Sequence, residues 1–210
     1  TTTMEPYKTM APAQSPNKNH KDIPGNPSTA TSSAIRLNDR SNGKPLRVLS
    51  EEDWAFWIQN GYVVVKNAVP REQALRTADF IWEFEEKDKN DPSTWYTAPR
   101  ADMEMKELIG TGMVEVYNNQ MLWNNRQMQS VYDAFTDIWG TDKLWVTIDR
   151  ANLNFPIRPG FEYKGFIHWD YDPETKPQNV QGVLVVADQE DENMGVFQCI
   201  PELYRTYGTW

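Results

Sequence analysis

The stretch "NVQGVLVVADQ", residues 179–189, decides the fold class of this chain. Its β-branched, apolar centre predicts a strand that is buried inside a sheet. Three runs of similar character surround it, namely "KLWVTIDRANLNFPI" (143–157), "GFIHWDYD" (165–172) and "GVFQCIPELY" (195–204). The C-terminal part of the chain is therefore predicted to consist of consecutive strands.

The part before residue 143 shows helical periodicity instead. Helices are predicted in "LSEEDWAFWIQNG" (49–61), with Ser50 and Asp53 as a capping box, in "PREQALRTADFIWEFEEKDK" (70–89), and in "RQMQSVYDAFTDIWG" (126–140). A strand is predicted at 62–69, and residues 97–123 fit a short strand or a helix. Helices followed by strands predict an α+β fold, an antiparallel β-sandwich or barrel braced by helices.

Two regions of different composition divide the chain. Residues 1–45 are rich in Pro, Ser, Thr and Asn and are predicted to form an N-terminal tail or arm, because they cannot bury enough apolar surface to fold alone. Residues 46–210 are predicted to form the domain. If ordered, the arm is expected either to wrap this domain or to contact a neighbouring chain, which would give a homo-oligomer.

Composition excludes several classes of function. The formal net charge is −9 and no basic cluster is present, which argues against binding to nucleic acid or to anionic membranes. Cys199 is the only cysteine, so the chain has neither an internal disulfide nor a cysteine zinc site. This composition fits a cytoplasmic protein, and no apolar run approaches the ~20 residues of a membrane span.

His168 and Asp170 form the pattern H-x-D inside the predicted strand at 165–172. Residues i and i+2 of a strand project to the same face, so an imidazole and a carboxylate would lie side by side. Such a pair can provide two adjacent ligands of Fe(II), and a third ligand would complete a facial triad. A hydrogen-bonded surface pair with no metal is the competing interpretation.

At this point the sequence resembles the phytanoyl-CoA dioxygenase family of Fe(II)/2-oxoglutarate-dependent oxygenases, over roughly residues 48–210. The resemblance rests on "LSEEDWAFWIQNGYVVVKNAVPREQA" (49–74), on "NFPIRPGFEYKGFIHWDYD" (154–172) and on "VQGVLVVADQEDENMGVFQCIPELYR" (180–205). It implies a double-stranded β-helix (a jelly roll, cupin-like) braced by N-terminal helices. It also implies Fe(II) as cofactor, 2-oxoglutarate as cosubstrate, and dioxygen and a small-molecule substrate as reaction partners.

The chain departs from the family pattern after His168. The family's distal His ligand and its 2-oxoglutarate-binding Arg lie further downstream, and no His follows His168 here. Three explanations stay open: the protein continues past Trp210 with the remaining strands, the third ligand differs, or the protein is a non-catalytic relative. The first is the expectation, since a jelly roll cut at this point would expose unpaired strand edges.

Six further residues are candidates for the site. Arg150, Asn152 and Asn154 occupy every second position of the predicted strand at 143–157 and so share one face, which either lines a pocket or faces solvent. Asn152, Asn154 and Tyr204 are predicted to contact the cosubstrate, Tyr204 because it stands where many relatives have a polar residue or His. Arg150, Arg158 and Tyr163 are predicted to contact the substrate.

Two functional hypotheses follow. The first is a non-haem Fe(II)/2-oxoglutarate dioxygenase that oxidises a small-molecule metabolite, with His168 and Asp170 as its metal ligands and catalytic residues. The second is a non-catalytic jelly-roll binding module in which the two residues are a structural hydrogen-bonded pair.

Overall fold

The computed structural model describes residues 37–160, 167–168, 170, 179–191 and 194–207. The helices and strands in this part of the chain are α1 (Glu51–Asn60), α2 (Arg71–Phe84), β1 (Met113–Val114), α3 (Gln120–Arg126), α4 (Gln129–Trp139), β2 (Ala151–Asn152) and α5 (Pro201–Thr206). Short 3-10 turns at Pro92–Thr94 and Lys106–Leu108 lie between α2 and β1. Of the helices in these ranges, none has the length and apolar character that crossing a bilayer requires.

Helix α1 begins and ends as its sequence predicts. The Ser50 hydroxyl accepts the Asp53 backbone N–H at 3.0 Å, and the Asp53 carboxylate accepts the Ser50 backbone N–H at 3.0 Å. This capping box satisfies two N–H groups that would otherwise lack partners. Gly61 ends the helix in the left-handed region, with φ of 75°.

The three predicted helices are present, although α2 ends at Phe84 and α4 begins only at Gln129, and two apolar residues in them do not face the core. Ile58 and Leu75 are 42% and 49% exposed, whereas Trp57 and Ile81 are buried. Ile58 follows Trp57 by one position, about 100° around the helix, and Leu75 precedes Ile81 by six, which leaves it about 120° away. Each helix has one buried face, and both residues lie outside it.

The core consists of two apolar clusters. We call the first the β-side cluster; its buried members are Ile81, Val114, Val116, Leu122 and Ala151, with Phe80, Phe84, Leu153 and Val186 packed against them. We call the second the α1–α4 cluster; its buried members are Leu49, Trp57 and Ile138, with Leu37, Leu46, Val48, Trp54, Val63, Val65 and Val180 around them. The segment 180–186 therefore contacts one cluster at each end.

Regular strands are shorter than the sequence predicts. β1 and β2 pair antiparallel, with Met113 opposite Asn152 and Val114 opposite Ala151. In the predicted strand at 62–69, Val63 and Val65 pack inward and Val64 is 68% exposed, yet residues 62–65 are assigned to no sheet. The described parts of the other predicted strands, outside β2, carry no strand assignment either. The double-stranded β-helix stays a prediction.

The predicted strand at 195–204 is wrong at its C-terminal end, where α5 begins at Pro201. Proline at the first helical position fixes a helical φ, and its missing N–H is one that no helix would pair there. The negative charge of Glu202 in the first turn also stabilises the helix, because the N-terminal end of a helix carries a partial positive charge.

The unassigned segments expose large apolar side chains. Trp145 is 96% exposed, Val183 72% and Phe197 61%, one in each of three predicted strands. These side chains therefore do not contribute to either apolar cluster.

Residues 37–45, the last part of the predicted arm, lie against the helices. The Trp57 indole donates to Asn38 at 2.6 Å, and the Asn42 amide donates to the Gly140 carbonyl at 2.7 Å. The predicted arm residues 1–36 lie outside the described residues.

Candidate metal centre

His168 and Asp170 are brought together in the structure. Nε2 of His168 lies 3.0 Å from Oδ1 of Asp170, and their side chains are 46% and 45% exposed. Neither residue is assigned to a strand, and Asp170 lies in a bend. An imidazole nitrogen and a carboxylate oxygen thus face one another at a position that solvent and small ions can reach.

This donor set fits a divalent cation of the iron type. Adjacent ligands of an octahedral ion, each bonded at about 2.1 Å, lie about 3.0 Å apart, which is the separation of these two atoms. Imidazole nitrogen and carboxylate oxygen are also the ligand types of the two-His, one-carboxylate iron sites. A hydrogen bond between the two side chains has the same length, so the distance suits both interpretations.

Asp170 has a second partner that the sequence did not predict. The Gln181 amide nitrogen donates to Oδ2 of Asp170 at 2.7 Å. A glutamine eleven positions downstream, next to an apolar run, carries no local signal of such a contact. Only the tertiary structure brings the two side chains together.

Apolar and polar side chains alternate along residues 151–154, as predicted. Ala151 and Leu153 pack in the β-side cluster, whereas Asn152 and Asn154 are exposed. Arg150 is half-buried, and its guanidinium lies 3.7 Å from the Asp149 carboxylate.

Asn154 lies in a notch between two glycines. A Cβ on Gly112 would come within 1.9 Å of its Oδ1, and a Cβ on Gly195 would lie 3.6 Å from its Cβ. The loop before β1 and the turn at Gly195 thus meet at this side chain.

Two further candidates, Tyr204 and Arg158, contact α1 and Tyr96 respectively. Tyr204 is on α5, where its hydroxyl donates to the Ile58 carbonyl at 3.3 Å and its ring packs on Gly61 at the end of α1. The Arg158 guanidinium lies 4.8 Å from the centre of the Tyr96 ring, a cation–π contact. The sixth candidate, Tyr163, lies outside the described residues.

No third ligand accompanies the pair in the described part of the chain. Within residues 37–160, 167–168, 170, 179–191 and 194–207, no three His, Cys, Asp or Glu side chains gather as a metal site would require. His20 also lies outside these ranges. The described residues therefore bring together two candidate ligands, His168 and Asp170, and the Gln181 amide.

Two curated proteins are distantly similar to this chain. One, from Aspergillus versicolor, is named "Ava biosynthesis cluster protein O" and is 29% identical over 147 residues, which are 66% of this chain and 46% of that protein. The other, from Dictyostelium discoideum, is named "Putative phytanoyl-CoA dioxygenase" and is 25% identical over 128 residues, 57% of this chain and 36% of that protein. The matched regions span less than half the length of either relative.

No protein-family model matches the chain. No solved structure matches it either. The relationship to the protein named "Putative phytanoyl-CoA dioxygenase" is therefore a distant sequence similarity.

Proposed function

We propose that this chain belongs to a non-haem Fe(II)/2-oxoglutarate-dependent dioxygenase that oxidises a small-molecule metabolite. The observation that carries the proposal is the 3.0 Å approach of His168 Nε2 to Asp170 Oδ1, with both side chains accessible. The similarity to a protein named "Putative phytanoyl-CoA dioxygenase" supports the same reaction class. Because less than half of that relative is matched, the activity is proposed for the whole protein.

The proposed fold is the double-stranded β-helix braced by α1, α2 and α4. Its support is the exposed apolar surface of three predicted strands, represented by Trp145, Val183 and Phe197. In such a fold these side chains would be covered by a second layer of strands.

His168 and Asp170 would hold the iron, and a third ligand would come from outside the described residues. Bound iron, with 2-oxoglutarate and dioxygen, would supply the oxidation of a substrate C–H bond. His168 binds a metal only through an unprotonated Nε2, so a proton on that atom must leave when metal binds. Asp170 contributes a negative charge, and Asn152 and Asn154 are the proposed contacts for the cosubstrate.

The test is to replace each ligand in the full-length protein, supplied with Fe(II) and 2-oxoglutarate, and to measure succinate formation. Asp170→Ala and His168→Ala are expected to abolish it while leaving the melting temperature nearly unchanged, because both side chains are half exposed. Asp188→Ala is the matched control, since Asp188 is 71% exposed and lies 3.8 Å from Arg71. Undiminished turnover in either ligand variant would refute the assignment.

The second candidate is a binding module in which the pair has a structural role. Its support is that His168 and Asp170 satisfy one another by a hydrogen bond without any metal. This candidate predicts no metal-dependent turnover in the wild type and a lower melting temperature for Asp170→Ala.

A further inference from the structure

We propose that Gln181 is the positioning residue for the metal-binding carboxylate of Asp170; this inference rests on the proposed function. The two oxygens of Asp170 have different partners: Oδ1 faces His168 Nε2 at 3.0 Å, and Oδ2 accepts the Gln181 amide at 2.7 Å. A carboxylate only accepts hydrogen bonds, so Gln181 must present its NH2 group to Oδ2. The short distance is typical of a bond to a charged acceptor.

The backbone of Gln181 is held on both sides by the helical part of the domain. Val180 packs in the α1–α4 cluster. The backbone of Gly182 passes so close to α4 that a Cβ there would lie 3.1 Å from Cζ of Phe135. The Gln181 side chain is exposed, but its Cα is held in place because both neighbouring residues are packed. These two contacts hold the backbone of Gln181 against the helical part of the domain, and its side chain carries the hydrogen bond to Asp170.

This arrangement assigns one role to each oxygen of Asp170. With Oδ2 bonded to the amide, only Oδ1 is directed toward an ion shared with His168. Asp170 then binds through one oxygen and occupies one coordination position. The positions left open are those that a two-His, one-carboxylate centre needs for cosubstrate and dioxygen. Hydrogen bonds of this kind to a ligating carboxylate typically strengthen metal binding.

The competing explanation is an ordinary surface hydrogen bond with no effect on metal. The two explanations differ in what the loss of the amide changes. A positioning role predicts weaker metal binding and an altered ligand field at unchanged stability. A surface bond predicts no change in any of the three.

The experiment compares Gln181→Leu, which keeps the approximate size and removes the donor, with Gln189→Leu, a matched exposed glutamine on the same segment. Metal-free full-length protein is titrated with Fe(II) without oxygen and with Co(II), whose absorption reports the coordination of the ion. Gln181→Leu is expected to raise the Kd of both metals by about 10- to 100-fold. It is also expected to change the Co(II) spectrum and to leave the metal-free melting temperature unchanged. Gln189→Leu should match the wild type throughout.

Unchanged Kd and spectrum in Gln181→Leu would overturn the inference and leave the proposed function standing. A lower melting temperature with unchanged Kd would overturn it in favour of a structural role. A wild type that binds neither metal would refute the proposed function and this inference together. If Gln181→Leu does not fold, Gln181→Asn against Gln189→Asn gives the same comparison, because the shorter amide does not reach Oδ2.

Discussion

Oδ2 of Asp137 accepts a hydrogen bond from the backbone N–H of Leu49 at 3.0 Å, although the two residues are 88 positions apart. The same carboxylate accepts the backbone N–H groups of Arg47 at 2.8 Å and Val48 at 3.0 Å. Asp137 is 6% exposed and belongs to α4. One buried side chain thus satisfies three consecutive N–H groups and fixes the segment before α1 to α4.

Replacing Asp137 by Ala should therefore be strongly destabilising. The change leaves three N–H groups without their acceptor, and the expected loss is about 3 kcal/mol of unfolding free energy. Urea denaturation measures it. The matched control is Asp142→Ala, whose side chain is 49% exposed and 3.8 Å from Arg47, with an expected loss below about 1 kcal/mol. Equal losses in the two variants would contradict this role for Asp137.

Gly140 should tolerate alanine less well than Gly43. Both have positive φ, 64° and 65°, so each substitution carries a backbone cost of about 1 kcal/mol. A Cβ on Gly140 would also lie 1.9 Å from the Asp39 carbonyl oxygen, whereas Gly43 has open space around it. Gly140→Ala is expected to lose about 3 kcal/mol in all, because the backbone at Asp39 must move. Thermal unfolding measures the loss of stability in each variant. Equal losses in Gly140→Ala and Gly43→Ala would contradict the prediction.

The two acidic partners of Arg100 should respond to pH in opposite directions. The Arg100 guanidinium, 8% exposed, lies 3.0 Å from Glu85 and 2.8 Å from Asp102. Burial raises the pKa of Glu85, and the charge of Arg100 opposes this only in part. The hydrogen bond from Arg100 lowers the pKa of Asp102.

The sign of each effect follows from which state binds the proton more tightly. Folding increases the proton affinity of Glu85, so its contribution to stability is complete at low pH and is lost as pH rises through its folded pKa. For Asp102 the contribution is present at neutral pH and is lost as pH falls through its folded pKa. Unfolding free energies between about pH 3 and pH 7 should show the wild-type advantage over Glu85→Gln falling with rising pH. The advantage over Asp102→Asn should rise over the same range. Parallel trends would contradict the two directions.

Gly112 offers a test of Asn154 as a cosubstrate contact. Gly110 and Gly112 have nearly the same φ, 78° and 79°, but only at Gly112 would a Cβ displace the Asn154 amide. If the proposed function holds, Gly112→Ala should raise the KM for 2-oxoglutarate several-fold more than Gly110→Ala does. Equal KM values in the two variants would remove Asn154 from the proposed site.

Much of the helical part was predictable because its signals are local. Ser50 and Asp53 are three residues apart, Gly140 directly follows the last turn of α4, and the apolar spacing of α2 lies within one segment. The strands were less predictable, because a strand forms only when it pairs with another segment. The apolar pattern at 62–69 does not indicate which segment that would be. Pro201 carried a helix-start signal that the apolar run before it concealed.

From the sequence, the same-face rule of a strand predicted that His168 and Asp170 lie side by side, and the structure brings them to 3.0 Å although neither is assigned to a strand. The sequence alone also determined the caps of α1 and the end of α4, which depend on neighbouring residues. Only the tertiary structure decided that Gln181 bonds to Asp170, that Asn154 fits between Gly112 and Gly195, and that Asp137 meets Leu49. These contacts join residues that are distant in the chain, and the packing of the two apolar clusters selects which polar groups meet.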